Sequence, residues 1–462
     1  MTRCIPMYNY DVIIIGSGPA GYVCAIRMAQ LGKRVCVIEK ENVGGVCLNK
    51  GCIPTKALLQ SAKFLKYANK AKDFGIDVKN FNINLEKVFN RKDDIISQLR
   101  NGIEFLFNQR GIELIRAKAT LRDEHTVEIE GRVFTSEFVI IATGSSPMEL
   151  PNLRFDDSSI ISSDKIFEIR KIPKTILIVG GGAIGCEFAT ILNLFGSKVT
   201  LLELMEHILP NEDREIAKKL QIQLEKNGIR IFTKLKVDSF VKKEGSILIK
   251  FSNGQELEFE TILVCVGRKI NSEGIGLEKL GISLNEKGYI VVDEYLKTNL
   301  NNIYAIGDVI GGYLLAHVAS YEGIKAAENI SGLKSKISYK AIPSCVFTEP
   351  EFASVGLSEE KAKNLGMDIA VGRFPFKSHG KSRILSETEG LIKVIIDKKN
   401  KIVLGAQILG YNASELISTF TTFINSNLGI EDLKEIIFAH PTISEAIGES
   451  ILSAQKSAIH IL

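Results

Sequence analysis

Asp11-Val12-Ile13-Ile14-Ile15-Gly16-Ser17-Gly18-Pro19-Ala20-Gly21 is the stretch from which the fold follows. Residues 11–15 form a β-branched run too apolar to alternate, as in a parallel strand buried on both faces. The glycines at 16, 18 and 21 then turn the chain into a helix that the pattern carries to Leu31. A second strand, Arg34–Ile38, ends in Glu39. In that context the turn is a dinucleotide site. Its glycines let a pyrophosphate approach the helix N-terminus, and the acid meets a ribose hydroxyl.

The signature returns further along. Thr175–Val179 is a strand, Gly180-Gly181-Gly182-Ala183-Ile184-Gly185 the turn, and Lys198–Leu202 the next strand, ending in Glu203. The interval from first glycine to acid is 23 residues in both copies, from 16 to 39 and from 180 to 203. Two nucleotide sites in one chain suit a flavin together with a nicotinamide. The predicted fold is therefore α/β, with two Rossmann-like dinucleotide-binding domains.

Between the copies, Ala57–Gly111 reads as helical with polar breaks near Asp73–Asn84. Short strands follow at Glu113–Arg116, Thr126–Glu130 and Arg132–Thr135, with Glu130-Gly131 as a hairpin turn, and Phe138–Ala142 is a further buried strand. The Pro- and Ser-rich passage Ser145–Pro173 marks a domain boundary. Beyond the second copy come an amphipathic helix, Asp213–Gly228, and a hairpin turn at Ser252-Asn253-Gly254. Ile303–Gly307 is one more apolar strand, ending in Asp308, and Leu314–His317 leads into a helix to about Ser331. From Ile342 the character changes. Leu391–Asp397 and Ile402–Leu409 are longer, alternating strands joined by a charged turn, which suggests an antiparallel sheet with helices after it. No third glycine fingerprint occurs there.

Directly after the first fingerprint stands Gly44–Lys56, with Cys47 and Cys52 five residues apart. A thiol pair so close in sequence can open and close as a disulfide with little chain movement, provided its Cα atoms lie within about 7 Å. Such pairs also bind metals, but a metal would need further Cys or His ligands. The nearest in sequence, Cys36 and Cys24, are already placed in a strand and a helix of the fingerprint, so no metal is expected. The reading is a redox-active disulfide beside a flavin. Near the C-terminus, Pro441 biases His440 away from helical geometry, and Glu445 begins the next helix, where it can orient the imidazole as a base.

Composition narrows the class. Hydrophobic residues make up 45% and charged residues 24%, ordinary for a soluble globular protein. A net charge of +4 gives no argument for nucleic acid or an anionic membrane surface, and no apolar run reaches the ~18 residues of a membrane span. Residues 1–10 lack the apolar core of a signal peptide. Eight cysteines are far too few for a disulfide-stapled secreted fold, so a reducing cytoplasm is expected, where a disulfide is usually catalytic. Cys24, Cys36, Cys186, Cys265 and Cys345 read as small buried hydrophobes, and Cys4 falls in the N-terminal tail. His125, His207, His379 and His460 read as surface residues. Lys50, between the two cysteines, either favours thiolate over thiol by its charge or points to solvent.

With the disulfide segment, both fingerprints and the His440-Pro441-Thr442-Ile443-Ser444-Glu445 ending in place, the chain resembles the flavoprotein disulfide reductases from about Tyr10 to Ile451. It is most similar to the members that oxidise protein-bound dihydrolipoamide with NAD⁺ in 2-oxoacid dehydrogenase and glycine cleavage complexes. This family resemblance implies the division 1–148 and 271–341 for the FAD-binding part, 149–270 for the NAD-binding part, and 342–462 for an α+β C-terminal domain. The resemblance implies a homodimer formed through the C-terminal domain, with lipoyl domains or the glycine cleavage lipoyl carrier as partners. It implies that Gly16, Gly18, Gly21 and Glu39 hold the adenosine and pyrophosphate of FAD. It places Lys56, paired with Glu187, near the reactive edge of the isoalloxazine. Further flavin contacts fall to Thr143, Gly144, Asp308, Leu314, Leu315, Ala316 and His317, with a backbone contact at Ala117. NAD positions fall to Gly180, Gly182, Gly185, Glu203, Val237 and Gly267. Cys47 resembles the interchange thiol, Cys52 the thiol against the flavin, and His440, supported by Glu445, the base, delivered from the neighbouring subunit. Val46 stands where a threonine is frequent and Lys50 where a small apolar residue is common.

Overall fold

A computed structural model describes residues 7–79 and 82–462; Cys4 lies outside them. The chain divides into two compact units, one of residues 1–58, 83–148 and 267–338, the other of residues 59–82, 149–266 and 339–462.

In the first unit β1 (Tyr10–Ile15) runs into α1 (Pro19–Gln30), which returns the chain to β2 (Val35–Glu39). β1 pairs in parallel with β2 on one side and with the strand Arg132–Ile141 on the other. Glu113–Arg116 extends the sheet beyond β2, and Ile303–Ala305 extends it beyond Arg132–Ile141. The apolar run of β1 is explained by two cores. Val12 and Ile14 belong to one and Ile13 and Ile15 to the other, all four nearly fully buried. Such a strand cannot alternate polar with apolar residues.

One expectation is corrected. Arg132–Thr135 and Phe138–Ala142 are not separate strands but one, Arg132–Ile141. Its first half pairs antiparallel with Thr126–Ile129 through a turn in which Glu130 and Gly131 have φ of +48° and +80°. Its second half joins the parallel sheet. A polar stretch, Thr135-Ser136-Glu137, hides the continuity in the sequence.

The second unit holds the second fingerprint. Its parallel sheet runs in the order Arg230–Phe232, Lys198–Leu202, Thr175–Val179, Thr261–Val264, Ile160–Ser162. A three-stranded antiparallel sheet, Val237–Lys243, Ser246–Phe251 and Glu256–Phe259, shares its core. The C-terminal part is a five-stranded antiparallel sheet, in the order Pro343–Val346, Glu351–Gly356, Val403–Gly410, Leu391–Asp397, Ile369–Pro375. The helices Ala413–Ser426 and Glu445–Ala454 contribute to one core with it. The alternation expected of this sheet is not found: the face bearing Lys393 and Asp397 also carries Leu391 and Ile395, and every residue of Leu391–Asp397 is buried, Lys393 included. The face expected to meet water is covered by the helix Arg214–Lys226 and the residues before it.

Candidate functional site

The two glycine turns have the same geometry. Gly16 has φ of +103° and Gly180 of +108°, conformations that L side chains rarely adopt. A Cβ on Gly21 would lie 2.0 Å from the Gly16 carbonyl oxygen, and one on Gly185 would lie 1.9 Å from that of Gly180. These four glycines are therefore required by the protein's own packing. The middle glycines are not. A Cβ on Gly18 would meet nothing nearer than 4.0 Å and one on Gly182 nothing at all, while both have φ open to any residue. Their missing side chains leave room at a helix N-terminus, the cradle that a pyrophosphate fills. The residues present thus fit two dinucleotides.

The acids are pre-positioned. Glu39 is buried, and its Oε2 accepts from the Ser17 N–H (2.9 Å) and hydroxyl (2.7 Å), while Oε1 accepts from the Glu41 N–H (2.9 Å). Glu203 is buried likewise and accepts from the N–H groups of Gly181 (2.7 Å) and Met205 (2.8 Å). A carboxylate has about four acceptor sites, so both keep capacity for a ribose hydroxyl.

The thiol pair is seated on the first turn. α2 (Gly45–Lys50) carries Cys47, and Cys52 is the first residue of α3 (Cys52–Asn69). A Cβ on Gly45 would lie 2.6 Å from the Gly18 Cα, and the Gly44 N–H donates to the Ser17 carbonyl at 2.9 Å. Cys47 and Cys52 are not joined as a disulfide and are hydrogen-bonded to each other. That bond, then burial, then the negative charge of Cys52 push the Cys47 thiol far above its ordinary range, with Lys56 pulling the other way. Cys52 lies in the first turn of an 18-residue helix, where unpaired N–H groups favour a thiolate. The two thiols differ in setting: the bond to Cys52 and burial favour the protonated form of Cys47, whereas Cys52 opens α3.

Two anchors of α2 were not foreseen. Asn49 donates to the carbonyls of Gly45 (2.8 Å) and Val43 (3.0 Å), and its Oδ1 accepts from Arg100 (2.6 Å) on the helix Leu85–Gln109. An asparagine near glycines signals local backbone bonding, but nothing in the sequence points to Arg100. Lys50 stands at the surface, its side chain 37% exposed. Its ammonium pairs with Glu41 at 2.6 Å, so the charge that acts on Cys47 is that of Lys56.

The remaining candidates around the first fingerprint form a connected set. Thr143 donates its hydroxyl to the Asn271 carbonyl (2.7 Å), and the Asn271 N–H returns to Gly144 (3.0 Å). Asp308 accepts from the Ser145 hydroxyl, which Arg268 braces at 2.6 Å. The Ala117 N–H donates to the Glu39 carbonyl at 2.9 Å, extending the sheet edge beside the acid. Leu315 caps the helix Ala316–Ile330, so Leu314, Leu315, Ala316 and His317 stand at a helix start. Gly267 has φ of +137° and accepts from the Met148 N–H at 3.1 Å. In the second unit, Glu187 accepts from the Phe347 N–H at 3.0 Å, and the Val237 carbonyl accepts from Asn152 at 3.0 Å.

His440 and Glu445 come together as expected. The imidazole Nδ1 lies 2.9 Å from Glu445 Oε1, and Glu445 Oε2 accepts from the Thr442 N–H at 2.9 Å. Burial raises the Glu445 carboxyl, but the bonds from His440 and Thr442 outweigh it and hold the pKa below its ordinary value. The His440 side chain is 81% exposed in the single chain, leaving Nε2 outward. Gly372 lets the Glu445 helix sit close on the sheet, since a Cβ there would lie 2.0 Å from the Ser450 carbonyl oxygen. His379 and His207 are buried, not on the surface. His379 stands behind the pair, its Nε2 3.9 Å from Glu445 Oε2, and burial, the largest cause, lowers its pKa. Cys24, Cys36 and Cys186 are buried as expected, whereas Cys265 and Cys345 are half-buried. Among the described residues no helix is long and apolar enough to cross a membrane, and no cluster of His, Cys, Asp and Glu could hold a metal ion.

Two dinucleotide cradles and a thiol pair seated against the first define an oxidoreductase of the two-nucleotide, disulfide-using class. Comparison with known proteins agrees with that reading. Residues 10–323 match the pyridine nucleotide-disulphide oxidoreductase family, and residues 342–451 match its dimerisation domain. The chain belongs to this family, an FAD-dependent enzyme working with NAD(H). Its C-terminal domain is the family's dimerisation domain. It is 41% identical to a dihydrolipoyl dehydrogenase of Thermus scotoductus, covering 99% of this chain and 100% of the relative. It is 38% identical to that of Geobacillus stearothermophilus, covering 98% and 97%. The crystal structure of LpdA from Mycobacterium tuberculosis superposes with a TM-score of 0.90 at 25% identity, over 95% of this chain and 98% of that one.

Proposed function

We propose that this protein oxidises protein-bound dihydrolipoamide to lipoamide with NAD⁺, as a dihydrolipoyl dehydrogenase. The observation that carries the reading is the Cys47–Cys52 pair, on α2 and at the N-terminus of α3, seated against the first cradle. Full-length similarity to relatives bearing that name supports it.

The residues account for the thiol chemistry. A lipoyl thiol loses its proton to His440 Nε2, because a thiol with a pKa near ~8.5 is a poor nucleophile at neutral pH. The thiolate attacks Cys47 of the oxidised pair; the Cys47–Cys52 bond breaks and its electron pair leaves on Cys52. The helix N-terminus favours that charge. The second lipoyl thiol then attacks the lipoyl sulfur of the mixed disulfide, which closes lipoamide and releases Cys47. Its proton ends on Cys47, the state favoured there by the bond to Cys52. Glu445 holds the His440 ring through its Nδ1, leaving Nε2 for the substrate. FAD, when bound, supplies the two-electron carrier between the pair and NAD⁺. Gly16, Gly18, Gly21 and Glu39 would hold its adenosine and pyrophosphate, supported by Ala117, Thr143, Gly144, Asp308 and residues 314–317. Gly180, Gly182, Gly185, Glu203, Val237 and Gly267 would hold NAD. Lys56 and Glu187 carry the roles that the resemblance gives them.

The lipoyl group is carried by a 2-oxoacid dehydrogenase acyltransferase or by the glycine cleavage carrier, in the cytoplasm. In the homodimer each subunit lends His440 to its neighbour's thiols, for which the exposure of His440 in the single chain argues. The test is NAD⁺ reduction by dihydrolipoamide in the holoenzyme and in its Cys47→Ser and Cys52→Ser variants. Turnover by the holoenzyme, abolished in both variants with flavin retained, is expected. Turnover that survives either substitution would overturn the assignment.

A further inference from the structure

One row of side chains crosses the whole C-terminal sheet. Ser344 pairs with Ser354, Ser354 with Gln407, Gln407 with Lys393, and Lys393 with Arg373, each directly opposite the next. Side chains directly opposite on neighbouring strands share a face, so the row presents two hydroxyls, an amide, an ammonium and a guanidinium in order. Lys393 is only 2% exposed and Gln407 1%. An antiparallel sheet with one solvated face would leave such residues in water; here Lys393 and Gln407 are covered, while Arg373 at the end of the row is half-buried.

What covers them is acidic. The Glu212 carboxylate accepts from Ser344 (3.0 Å) and Ser354 (2.7 Å), one hydroxyl on each oxygen. Asp213 accepts from Lys393 through both oxygens, at 3.1 and 2.9 Å, and caps the helix Arg214–Lys226 by accepting from the Ile216 N–H. Glu215 meets Lys393 at 3.0 Å and Arg373 at 2.8 Å, and Glu359 meets the same two at 2.9 and 2.7 Å. Buried charges persist only where paired and hydrogen-bonded, and Lys393 and Arg373, on two adjacent strands, satisfy that condition.

The segment it holds is the continuation of the second fingerprint. Glu203, which binds Gly181, opens the loop that ends at Asp213. Inside that loop the Leu209 N–H donates to the Gly181 carbonyl at 2.8 Å, and the Glu212 N–H to Leu209 at 3.0 Å. A short hydrogen-bonded path therefore joins the row to the turn that carries Gly180 and Gly182 and that Glu203 braces through Gly181.

We propose that this polar row positions the NAD site, with Lys393 and Arg373 as positioning residues acting through Glu212, Asp213 and Glu215 on the Glu203 loop. The inference rests on the assignment of the second fingerprint to NAD. It makes the dimerisation sheet part of the nucleotide site, and nucleotide affinity sensitive to substitutions on that sheet.

The holoenzyme tests it, in Lys393→Met and Asp213→Asn forms. Asparagine keeps the helix cap and removes only the charge opposite Lys393. Calorimetry on the dithionite-reduced holoenzyme, which NADH cannot reduce further, reads NADH binding, and rapid mixing of the oxidised form with excess dihydrolipoamide reads the thiol side alone. The dissociation constant for NADH and the KM for NAD⁺ should rise about fivefold or more, while the thiol-side rate stays within about twofold. Unchanged NADH affinity in Asp213→Asn, or equal losses on both sides, would overturn the proposal. If Lys393→Met does not fold, Asp213→Asn decides alone. A wild-type holoenzyme that binds no NADH would instead overturn the assignment of the second fingerprint, an outcome visible before any variant is made.

Discussion

Replacing Glu445 by glutamine tests the proposed base without disturbing the fold around it. Glutamine keeps an oxygen for the Thr442 N–H and fills the same volume, so the turn 440–445 survives. What is lost is the negative charge 2.9 Å from the His440 Nδ1. A hydrogen bond to a charged group contributes about 1.5–3 kcal/mol. The His440 side chain is 81% exposed in the single chain, and solvent screening places this pair at the lower end. About 1.5 kcal/mol lost from the contact that orients His440 corresponds to roughly a tenfold fall in kcat. The assay is NAD⁺ reduction by dihydrolipoamide, set against NADH-driven reduction of an artificial dye, which needs neither base nor thiols. The first should fall about tenfold and the second stay level. A wild-type rate in Glu445→Gln, or an equal fall in both assays, would refute the role given to Glu445.

Glu203 should make the enzyme prefer NAD⁺, since a carboxylate beside a 2′-phosphate repels it; Glu203→Gln should narrow the kcat/KM ratio of NAD⁺ to NADP⁺ by about tenfold or more. Acid should unfold the second unit early. Despite burial, the bonds from Lys363 and Lys393 bring the Glu359 pKa from 4.5 down to about 2. The stability its charge contributes is therefore complete above pH 4.5 and lost as the pH falls towards 2. Denaturation followed between those values should show a steeper loss in wild type than in Glu359→Gln. A mixed dimer of a Cys52→Ser chain with a His440→Ala chain should regain about half of wild-type activity by site count; no recovery would place base and thiols in one chain.

Much of this was legible because it is local. The glycine turns, their acids and the Cys47–Cys52 interval each lie within a few dozen residues, and the buried strands between them have no polar face to confuse the pattern. His440 and Glu445 were legible for the same reason, being five residues apart on one turn. What the sequence hid depends on distant partners. Arg132–Ile141 looks like two strands because its polar middle is where it passes from one pairing to another. His379 looks like a surface residue because the carboxylate it stands behind, Glu445, is far along the chain. Lys393 occupies an outward position in the strand Leu391–Asp397, and only the acidic residues 212–215 give it a reason to be buried. Arg100 belongs to the same group: its partner Asn49 is legible as a loop residue, but the bond between them is not.

Anaerobic titration of the oxidised holoenzyme with dihydrolipoamide tests the central claim most directly. The Cys47–Cys52 pair should take up two electrons per subunit before the flavin is bleached, with long-wavelength absorbance from the Cys52 thiolate beside oxidised flavin. Added NAD⁺ should then abolish that absorbance and appear as an equal amount of NADH. Bleaching of the flavin with no such absorbance, or its persistence in Cys52→Ser, would contradict the account.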